Sequence, residues 1–302
     1  MTNRHTKEKS FLDIRVLRYF IAVATQENIS AAANALHLSQ PTLSRQLNNL
    51  EEELGTTLFV RGNRKITLTD EGMFLLDRAK EIVDLVEKTA ANFNQQSEII
   101  SGEIHIGAGE TEAMQFIAQT IKKVVAHHPN IKFHLYSGNA DDITTKLDSG
   151  LLDFGIVIEP ANKQKYDYLK LPATDVWGVL MRKDSPLAEK AYIHPTDLLN
   201  TPLIISRQTA VSNELSGWLG KEIESLNVIS TYNLLYNASL LVKENIGYAL
   251  CIDKLINTSE ESTLCFRPLS PKLEAGLNIL WKKHQTFSNA TKIFLTYLRE
   301  GM

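Results

Sequence analysis

The stretch Ser39-Gln40-Pro41-Thr42-Leu43-Ser44-Arg45-Gln46-Leu47 decides how the first part of this 302-residue chain folds. Ser39 is a favourable helix N-cap, and a proline in the first turn removes an amide that has no partner there, so a helix begins at this point. Leucines at positions 43, 47, 50 and 54 then fall on one face, and Gly55 is typical of a helix end. The stretch therefore predicts an amphipathic helix over residues 40–54.

The face opposite the leucines is polar throughout and carries Gln40, Thr42, Ser44, Arg45, Asn48 and Asn49. Short and forked polar side chains of this kind can hydrogen-bond base edges and phosphates when a helix lies in the major groove. The solvated face of any amphipathic helix looks similar. The flanking segments are therefore needed to distinguish a DNA-binding face from an ordinary solvated one.

Two helices are predicted before this one. Apolar residues from Ile14 to Ala24 follow helical spacing after Asp13, a good N-cap, and indicate a helix that ends near Asn28. Ser30 is expected to cap a short alanine-rich helix over residues 31–36, with a turn at His37-Leu38. The second and third helices form a helix-turn-helix.

A basic hairpin is predicted after the helices. Residues 59–61 and 66–68 are short β-prone runs on either side of Gly62-Asn63, and the cations at the tip are Arg61, Arg64 and Lys65. Cations beside a helix-turn-helix can contact phosphates or the minor groove without reading sequence. The hairpin favours DNA binding over an ordinary solvated surface.

The distribution of charge separates the first 69 residues from the rest of the chain. The whole chain has a net charge of −3 and an isoelectric point near 6.3, which by itself argues against nucleic acid. Residues 1–69, however, carry nine Lys and Arg against six Asp and Glu, a net charge of +3, and the remaining 233 residues carry −6. Such asymmetry is typical of a chain in which one part meets a polyanion.

Other features indicate a cytoplasmic protein that is not in a membrane. The first residues are polar and no apolar h-region follows them, so we expect no export signal. No apolar run reaches the roughly 18 residues that a spanning helix needs. Two cysteines, Cys251 and Cys265, are too few for a disulfide framework, and a redox role for them stays open.

A long linker helix is predicted over residues 70–97, with Thr69 as its cap. Its apolar residues repeat at spacings of three and four, the pattern of a coiled coil: Leu75, Ala79, Ile82, Val86, Thr89 and Phe93. The stripe could pack on its own domain, but a helix between two domains has little local surface to cover it. We therefore favour dimerisation through this helix.

The body, residues 98–302, alternates strands and helices in βαβ order and predicts two α/β lobes with parallel sheets. The first series runs from Glu103 to Ile158, Glu159-Pro160 interrupts it, and a second series begins at Val176. Ligands of open α/β folds bind at the carboxyl ends of the strands, and two lobes can close around them. The body is expected to sense a small molecule.

Residues 31–47, together with Leu50-Glu51-Glu52-Glu53-Leu54-Gly55 and Leu68-Thr69-Asp70-Glu71-Gly72, resemble the N-terminal winged helix-turn-helix of LysR-type transcriptional regulators. The resemblance extends over about residues 13–95. It implies DNA contacts by Ser30, Ser39, Gln40, Pro41, Thr42, Ser44 and Arg45 of the helices and by Arg61 and Arg64 of the wing.

The same resemblance has consequences for assembly and for the body. It implies linker helices that pair antiparallel and a homotetramer, although the residues alone do not separate a dimer from a tetramer, and it implies RNA polymerase as a further partner. It also places the tail on the first lobe, so lobe I comprises residues 101–160 and 268–302 and lobe II residues 161–267. The expected fold is an α/β body with two lobes similar to periplasmic binding proteins, preceded by the winged helix-turn-helix of residues 1–69.

The effector residues follow from the strand ends and comprise Ala108, Gly109, Glu110, Thr111, Asn139, Ile158, Glu159, Ser206, Arg207 and Gln208. Thr111 lies at a helix N-terminus, where amides favour an anion, and the resemblance implies effector contact by a Ser or Thr near this position. Glu110 and Glu159 would select an amine or a hydroxyl, unless both are solvated rim charges.

We expect no metal, cofactor or catalytic residue. The glycines at positions 107 and 109 lack the third glycine of a dinucleotide fingerprint, and the scattered histidines show no metal-ligand spacing. A solute-binding protein would need an export signal and would leave residues 13–95 unexplained. An α/β enzyme would need a catalytic set at the strand ends, which the sequence does not show.

Overall fold

The computed structural model describes residues 12–62, 65–93, 100–159, 161, 163–207, 213–221 and 223–302. The chain forms two compact units, Met1–Asn94 and Gln95–Met302, which we call the head and the body. In the portion described, no helix combines the length and the apolar character needed to cross a membrane.

The head is a winged helix-turn-helix. Its elements are α1 (Ile14–Gln26), α2 (Ile29–Ala35), α3 (Gln40–Leu54), the antiparallel strands β1 (Phe59–Arg61) and β2 (Ile66–Leu68), and α4 (Asp70–Phe93). Asp13 and Ser39 cap α1 and α3 as predicted, and Gly55 ends α3 with a φ of 67°. The predicted fold of the head is therefore confirmed.

The cap of α2 differs from the prediction. Asn28, not Ser30, is the N-cap, and its Oδ1 accepts the amide of Ala31 at 3.0 Å. Helix α1 ends early because Glu27 takes the left-handed conformation, with φ 51°, which leaves Asn28 free to start the next helix. Asparagine is as good an N-cap as serine. Ser30 thus lies inside α2, where it is exposed.

Helix α4 divides its apolar residues between two faces. Leu75, Ala79 and Val83 are buried in the head's core, so the first two are not part of an open dimer seam as predicted. A second set stays exposed and comprises Phe74, Ile82, Leu85 and Val86. The prediction was wrong for the first half of the seam because that face of the helix already packs against α1.

The body contains β3 (Gly102–Ala108), α5 (Met114–His127), β4 (Ile131–Ser137), α6 (Ala140–Asp148), β5 (Phe154–Ile158), β6 (Tyr166–Arg182), α7 (Pro195–Leu198), β7 (Leu203–Ser206), α8 (Asn213–Leu219), β8 (Val228–Tyr232), α9 (Leu235–Lys243), β9 (Tyr248–Ile252), β10 (Leu264–Pro268), β11 (Glu274–Lys282) and α10 (Asn289–Glu300). The strand order is β4-β3-β5-β11-β6-β9-β7-β8, with β10 also beside β6. Parallel pairs lie in both halves, and β6 and β11 run antiparallel to each other between them. The predicted α/β class and its two lobes are confirmed.

Strand β6 connects the two lobes. Its first part pairs with β11, and Leu171 is buried in the first lobe's core, while its last part pairs with β9 and β10 in the second lobe. The sequence placed the whole of residues 161–267 in lobe II and began this strand only at Val176. Residues 166–175 belong instead with lobe I. Their exposed polar positions hid the strand, because only one face of it is covered.

The tail lies on the first lobe. Phe294 and Leu298 of α10 are fully buried in the same core as Ile104 and Ile117, from β3 and α5. The chain therefore crosses between the lobes twice, along β6 and between β10 and β11.

Candidate DNA-binding surface and effector cleft

Helix α3 presents its polar face to solvent. Leu43, Leu47 and Leu50 are buried in the head's core, which fixes the orientation of the helix. The predicted DNA-contacting residues of the helices are all exposed except Ser44, which is half-buried; they are Ser30, Ser39, Gln40, Pro41, Thr42, Ser44 and Arg45. Burial of one face thus leaves the other available to a partner.

The first turn of α3 is held by its own hydroxyls. Ser39 Oγ accepts the amide of Thr42 at 3.3 Å, and the two hydroxyl oxygens lie 2.7 Å apart. Arg45 lies one turn further along and is exposed.

Hydrogen bonds from main-chain amides in and beside the wing attach it to the helices. Glu51 Oε1 accepts the amides of Leu58 and Phe59 at 2.7 and 3.1 Å, and the Ile66 amide donates to Glu27 O at 2.9 Å. These bonds fix the position of the wing beside α3. The side chain of Arg61 and the whole of Arg64 lie outside the described residues.

The third cation of the wing has a partner in the head. Lys65 Nζ lies 2.6 Å from a carboxylate oxygen of Glu27, and both side chains are about half exposed. The sequence grouped Lys65 with the cations at the tip of the hairpin. The structure instead pairs it with the residue that ends α1, since β2 lies against that turn.

Helix α4 begins against the wing at a position that needs glycine. A Cβ on Gly72 would lie 2.2 Å from the carbonyl oxygen of Leu58 and 3.0 Å from Leu68 Cδ2. Thr69 caps the helix by accepting the Gly72 amide at 3.0 Å, and its own hydroxyl donates to Thr57 O at 2.7 Å. The wing and α4 therefore form one rigid corner.

In the body, a cavity of about 310 Å³ opens at the carboxyl ends of β3 and β4. Four of the predicted effector residues line it: Ala108, Gly109, Glu110 and Thr111. The sequence missed its other lining residues, which are Ile106, Met114, Leu135, Tyr136, Ser137 and Leu255. Leu255 comes from the second lobe, so the cavity lies between the lobes.

Thr111 connects the cavity to the strand that joins the lobes. Its hydroxyl donates to Asp175 Oδ2 at 2.7 Å, and both side chains are buried. Burial raises the pKa of Asp175, and the nearby Asp253 adds to this rise against the opposing effect of the Thr111 hydrogen bond. Asp253 in turn accepts the amide of Val176, next along β6, at 3.0 Å.

Glu110 joins the lobes directly. Its Oε2 accepts the amide of Leu235, the first residue of α9. The N-cap of that helix, Leu234, provides no side-chain hydrogen bond, so the carboxylate from the opposite lobe takes this role. A negative charge at a helix N-terminus is stabilising, typically by about 0.3–1 kcal/mol. Glu110 is therefore a contact between lobes and not a solvated rim charge.

The carboxylate of Glu159 also has partners within the structure. It pairs with Lys163, and its Oε1 accepts a hydrogen bond from Asn278 Nδ2 at 2.8 Å. The Lys163 hydrogen bond is the main cause that holds the pKa of Glu159 below its ordinary value. A carboxylate with two such partners is poorly placed to select an amine.

Of the remaining predicted effector residues, those that the structure describes do not line this cavity. Asn139 caps α6 in a reciprocal pair with Asp142, with an O···N distance of 2.9 Å. Ile158 and Ser206 are half-buried and Arg207 is exposed, whereas Gln208 lies outside the described residues.

The two cysteines lie on opposite sides of β6. Cys251 of β9 is opposite Gly178 and Cys265 of β10 is opposite Met181, so the spacing of strands and residues separates their Cα atoms by roughly 14 Å. A disulfide needs Cα atoms within about 7 Å. Burial raises the pKa of Cys251 to about 12 and also raises that of Cys265.

Both the head and the body match families of known proteins. Residues 14–73 match the bacterial regulatory helix-turn-helix family model of the lysR family, and residues 97–302 match the LysR substrate binding domain. The chain is 32% identical over 195 residues to the DNA-binding transcriptional dual regulator OxyR of Escherichia coli K12, an alignment that spans 64% of this chain and 63% of OxyR. It is 27% identical over 252 residues to the HTH-type transcriptional activator IlvY of Salmonella typhimurium LT2, with 83% and 85% covered.

Among solved structures, full-length CbnR complexed with its target DNA has the same fold. The TM-score is 0.72 at 18% identity, over 96% of this chain and 100% of CbnR. With the helix-turn-helix and the two-lobed body both matched, the chain belongs to the LysR family of transcriptional regulators.

Proposed function

We propose that this chain is a ligand-responsive transcriptional regulator that acts in the cytoplasm. Its head binds double-stranded operator DNA, with α3 in the major groove and the wing on the adjacent backbone. The observation that carries the proposal is the exposed polar face of α3, oriented by the buried leucines on its other side. Residues that read bases need such a fixed helix, because base contacts require a defined register.

The exposed apolar face of α4 supports dimerisation. Ile82, Leu85 and Val86 are each about 40% exposed, and Phe74 is 67% exposed. Antiparallel pairing of two such helices would cover these side chains and place two α3 helices on successive major grooves of an inverted repeat. A tetramer of two such dimers follows the family pattern, and RNA polymerase is a further proposed partner.

The effector is a small polar molecule held in the cavity at the ends of β3 and β4. The volume of about 310 Å³ is at the lower end of the range for ligand pockets. Among the lining residues, Ser137 and Tyr136 carry hydroxyls that could hydrogen-bond an effector, beside the apolar Met114 and Leu255.

Effector binding is coupled to the lobes through Thr111 and Glu110. Thr111 bonds the joining strand at Asp175, and Glu110 bonds the second lobe at Leu235. An effector that prefers one arrangement of the lobes shifts the assembly toward that arrangement. The spacing of the heads on DNA changes as a result.

Direct sensing of oxidants by the thiols is the second candidate, since relatives that match this chain include hydrogen peroxide-inducible genes activators. Reactive cysteines are exposed and have lowered pKa values. Cys251 and Cys265 are buried, have raised pKa values and lie too far apart to bond each other. The geometry therefore favours a bound effector.

Selection of bound fragments from genomic DNA by the full chain tests DNA recognition. We expect enrichment of an interrupted inverted repeat that Arg45→Ala loses while the control Arg299→Ala, an equal charge change in the body, retains it. Arg64→Ala should weaken binding to all sequences and lower the log–log salt slope by about one. No enriched sequence with the unmodified chain, or equal enrichment with Arg45→Ala, would count against the proposed contacts.

A further inference from the structure

A cluster of two imidazoles and one carboxylate lies on strands β3 and β4, outside the cavity. It comprises Glu103, His105 and His134, and their ligand atoms all lie within 4.8 Å of one another. His105 and His134 are direct partners in the parallel β3–β4 pairing, and Glu103 lies two residues before His105, on the same face. The pairing of the strands therefore brings the three side chains together.

The distances are close to those of ligands around one metal ion. Glu103 Oε2 lies 3.9 Å from His105 Nε2 and 3.6 Å from His134 Nε2. Two ligands on a tetrahedral zinc ion with bonds of about 2.1 Å are separated by roughly 3.4 Å. To hold a single ion, the two Glu–His separations would shorten by about 0.2 and 0.5 Å. The His105–His134 separation, at most 4.8 Å, would shorten by up to about 1.4 Å, within the reach of side-chain rotation.

The backbone beneath the cluster is firmly held. The His105 amide donates to Asp153 Oδ2 at 2.8 Å, and the Asp153 amide donates to His105 O at 2.8 Å. The imidazoles of His105 and His134 stack with their centroids 4.6 Å apart and an angle of 15° between their planes. Because an ion must lie in the plane of each ring, one ring has to turn, and His134 can do so since about half of its side chain is exposed.

We propose that Glu103, His105 and His134 bind a divalent transition metal ion, with Zn²⁺ as the reference ion. Two neutral imidazoles and a carboxylate form a ligand set that Zn²⁺ uses with water in the open position. The exposed side of the cluster admits that water. The site ties the edge strand β4 to β3, so the bound ion stabilises the two strands whose ends line the effector cavity.

The local spacing of the histidines gave no sign of this site. His105 and His134 are 29 positions apart in sequence, and metal motifs on one helix or one loop have much shorter spacings. Only the register of two parallel strands places them side by side. The sequence therefore led us to expect no metal.

The test is metal binding by the untagged full chain, followed by Zn²⁺ calorimetry and by the visible absorption of Co²⁺. The variants are the double change His105→Asn and His134→Asn and a matched control, His127→Asn with His128→Asn, which also removes two imidazoles from lobe I. We expect one ion per chain in the unmodified and control proteins, and an affinity at least about a hundredfold weaker in the first variant.

Thermal unfolding distinguishes loss of the site from loss of the fold. A ligand that binds the folded state raises its apparent stability, so Zn²⁺ should raise the unfolding midpoint of the control and leave that of the site variant unchanged. Glu103→Gln, which keeps the size of the side chain, should weaken binding as well. The proposal is overturned if the unmodified chain binds no ion, or if the site variant and the control bind it equally.

Discussion

Replacement of Gly72 by alanine should loosen the corner between the wing and α4. The new Cβ would lie 2.2 Å from Leu58 O, which is 0.8 Å inside the 3.0 Å limit that Cβ contacts respect. The obstacle is a backbone carbonyl that cannot rotate away. The wing or the first turn of α4 must therefore move, and the bond from the Thr69 amide to the same oxygen, now 3.0 Å, is stretched.

The expected change in the free energy of unfolding has three contributions. Overpacking of this kind costs about 1–3 kcal/mol. Loss of one backbone hydrogen bond costs about 1 kcal/mol more. Alanine is more favourable than glycine in a helix, which stabilises the variant by about 1 kcal/mol. The net loss of about 2 kcal/mol should lower the unfolding midpoint of the head by roughly 10 °C, given its small size.

The assay is calorimetric unfolding of the full chain, with amide exchange over residues 57–72 to identify the head. Gly217→Ala in α8 is the control, because a Cβ there meets nothing within 4 Å and should stabilise by about 0.4–1 kcal/mol. DNA affinity of Gly72→Ala should fall at all sequences, since the displaced wing loses phosphate contacts. If Gly72→Ala matches the unmodified head in stability and affinity, the rigid corner does not exist.

Three further predictions concern the body. Burial raises the pKa of Asp175, so as pH rises from about 4 to about 7 the unmodified chain should lose stability relative to Asp175→Asn, and a constant difference in urea denaturation would contradict this. Glu110→Ala, which removes the acceptor, should speed amide exchange at Leu235 about fivefold, for a loss of ~1 kcal/mol, and unchanged exchange would exclude the bond between lobes. Cys251 and Cys265 should resist dilute peroxide until the chain unfolds, and a disulfide detected by mass in the native protein would refute their burial.

Periodicity and capping residues were sufficient to predict most of the fold. The leucines of α3, its Ser39 cap and its Gly55 end are local signals, and local signals fix where a helix begins, ends and buries its side chains. The same holds for β5 and β9, which are short apolar runs. Such features need no knowledge of distant neighbours.

The features that the sequence did not predict share a different cause. Leu75 and Ala79 fit a heptad seam, but only the position of α1 determines which face of α4 is covered. Thr111 lines the cavity, but the sequence did not predict that its hydroxyl bonds Asp175, 64 residues away in sequence. Leu255 reaches the cavity from the other lobe. Contacts of long sequence separation decided each case, and no local pattern encodes them.

The central claim is that a ligand in the cavity between the lobes changes how the heads bind DNA. The most direct measurement is a nuclease footprint on the selected operator, with and without a metabolite that raises the thermal stability of the full chain. Ser137→Trp, which fills the cavity from its exposed edge, is the comparison variant. We predict that the ligand alters the footprint of the unmodified chain and leaves that of Ser137→Trp unchanged while it still binds DNA. An identical ligand response in the two proteins would contradict the account.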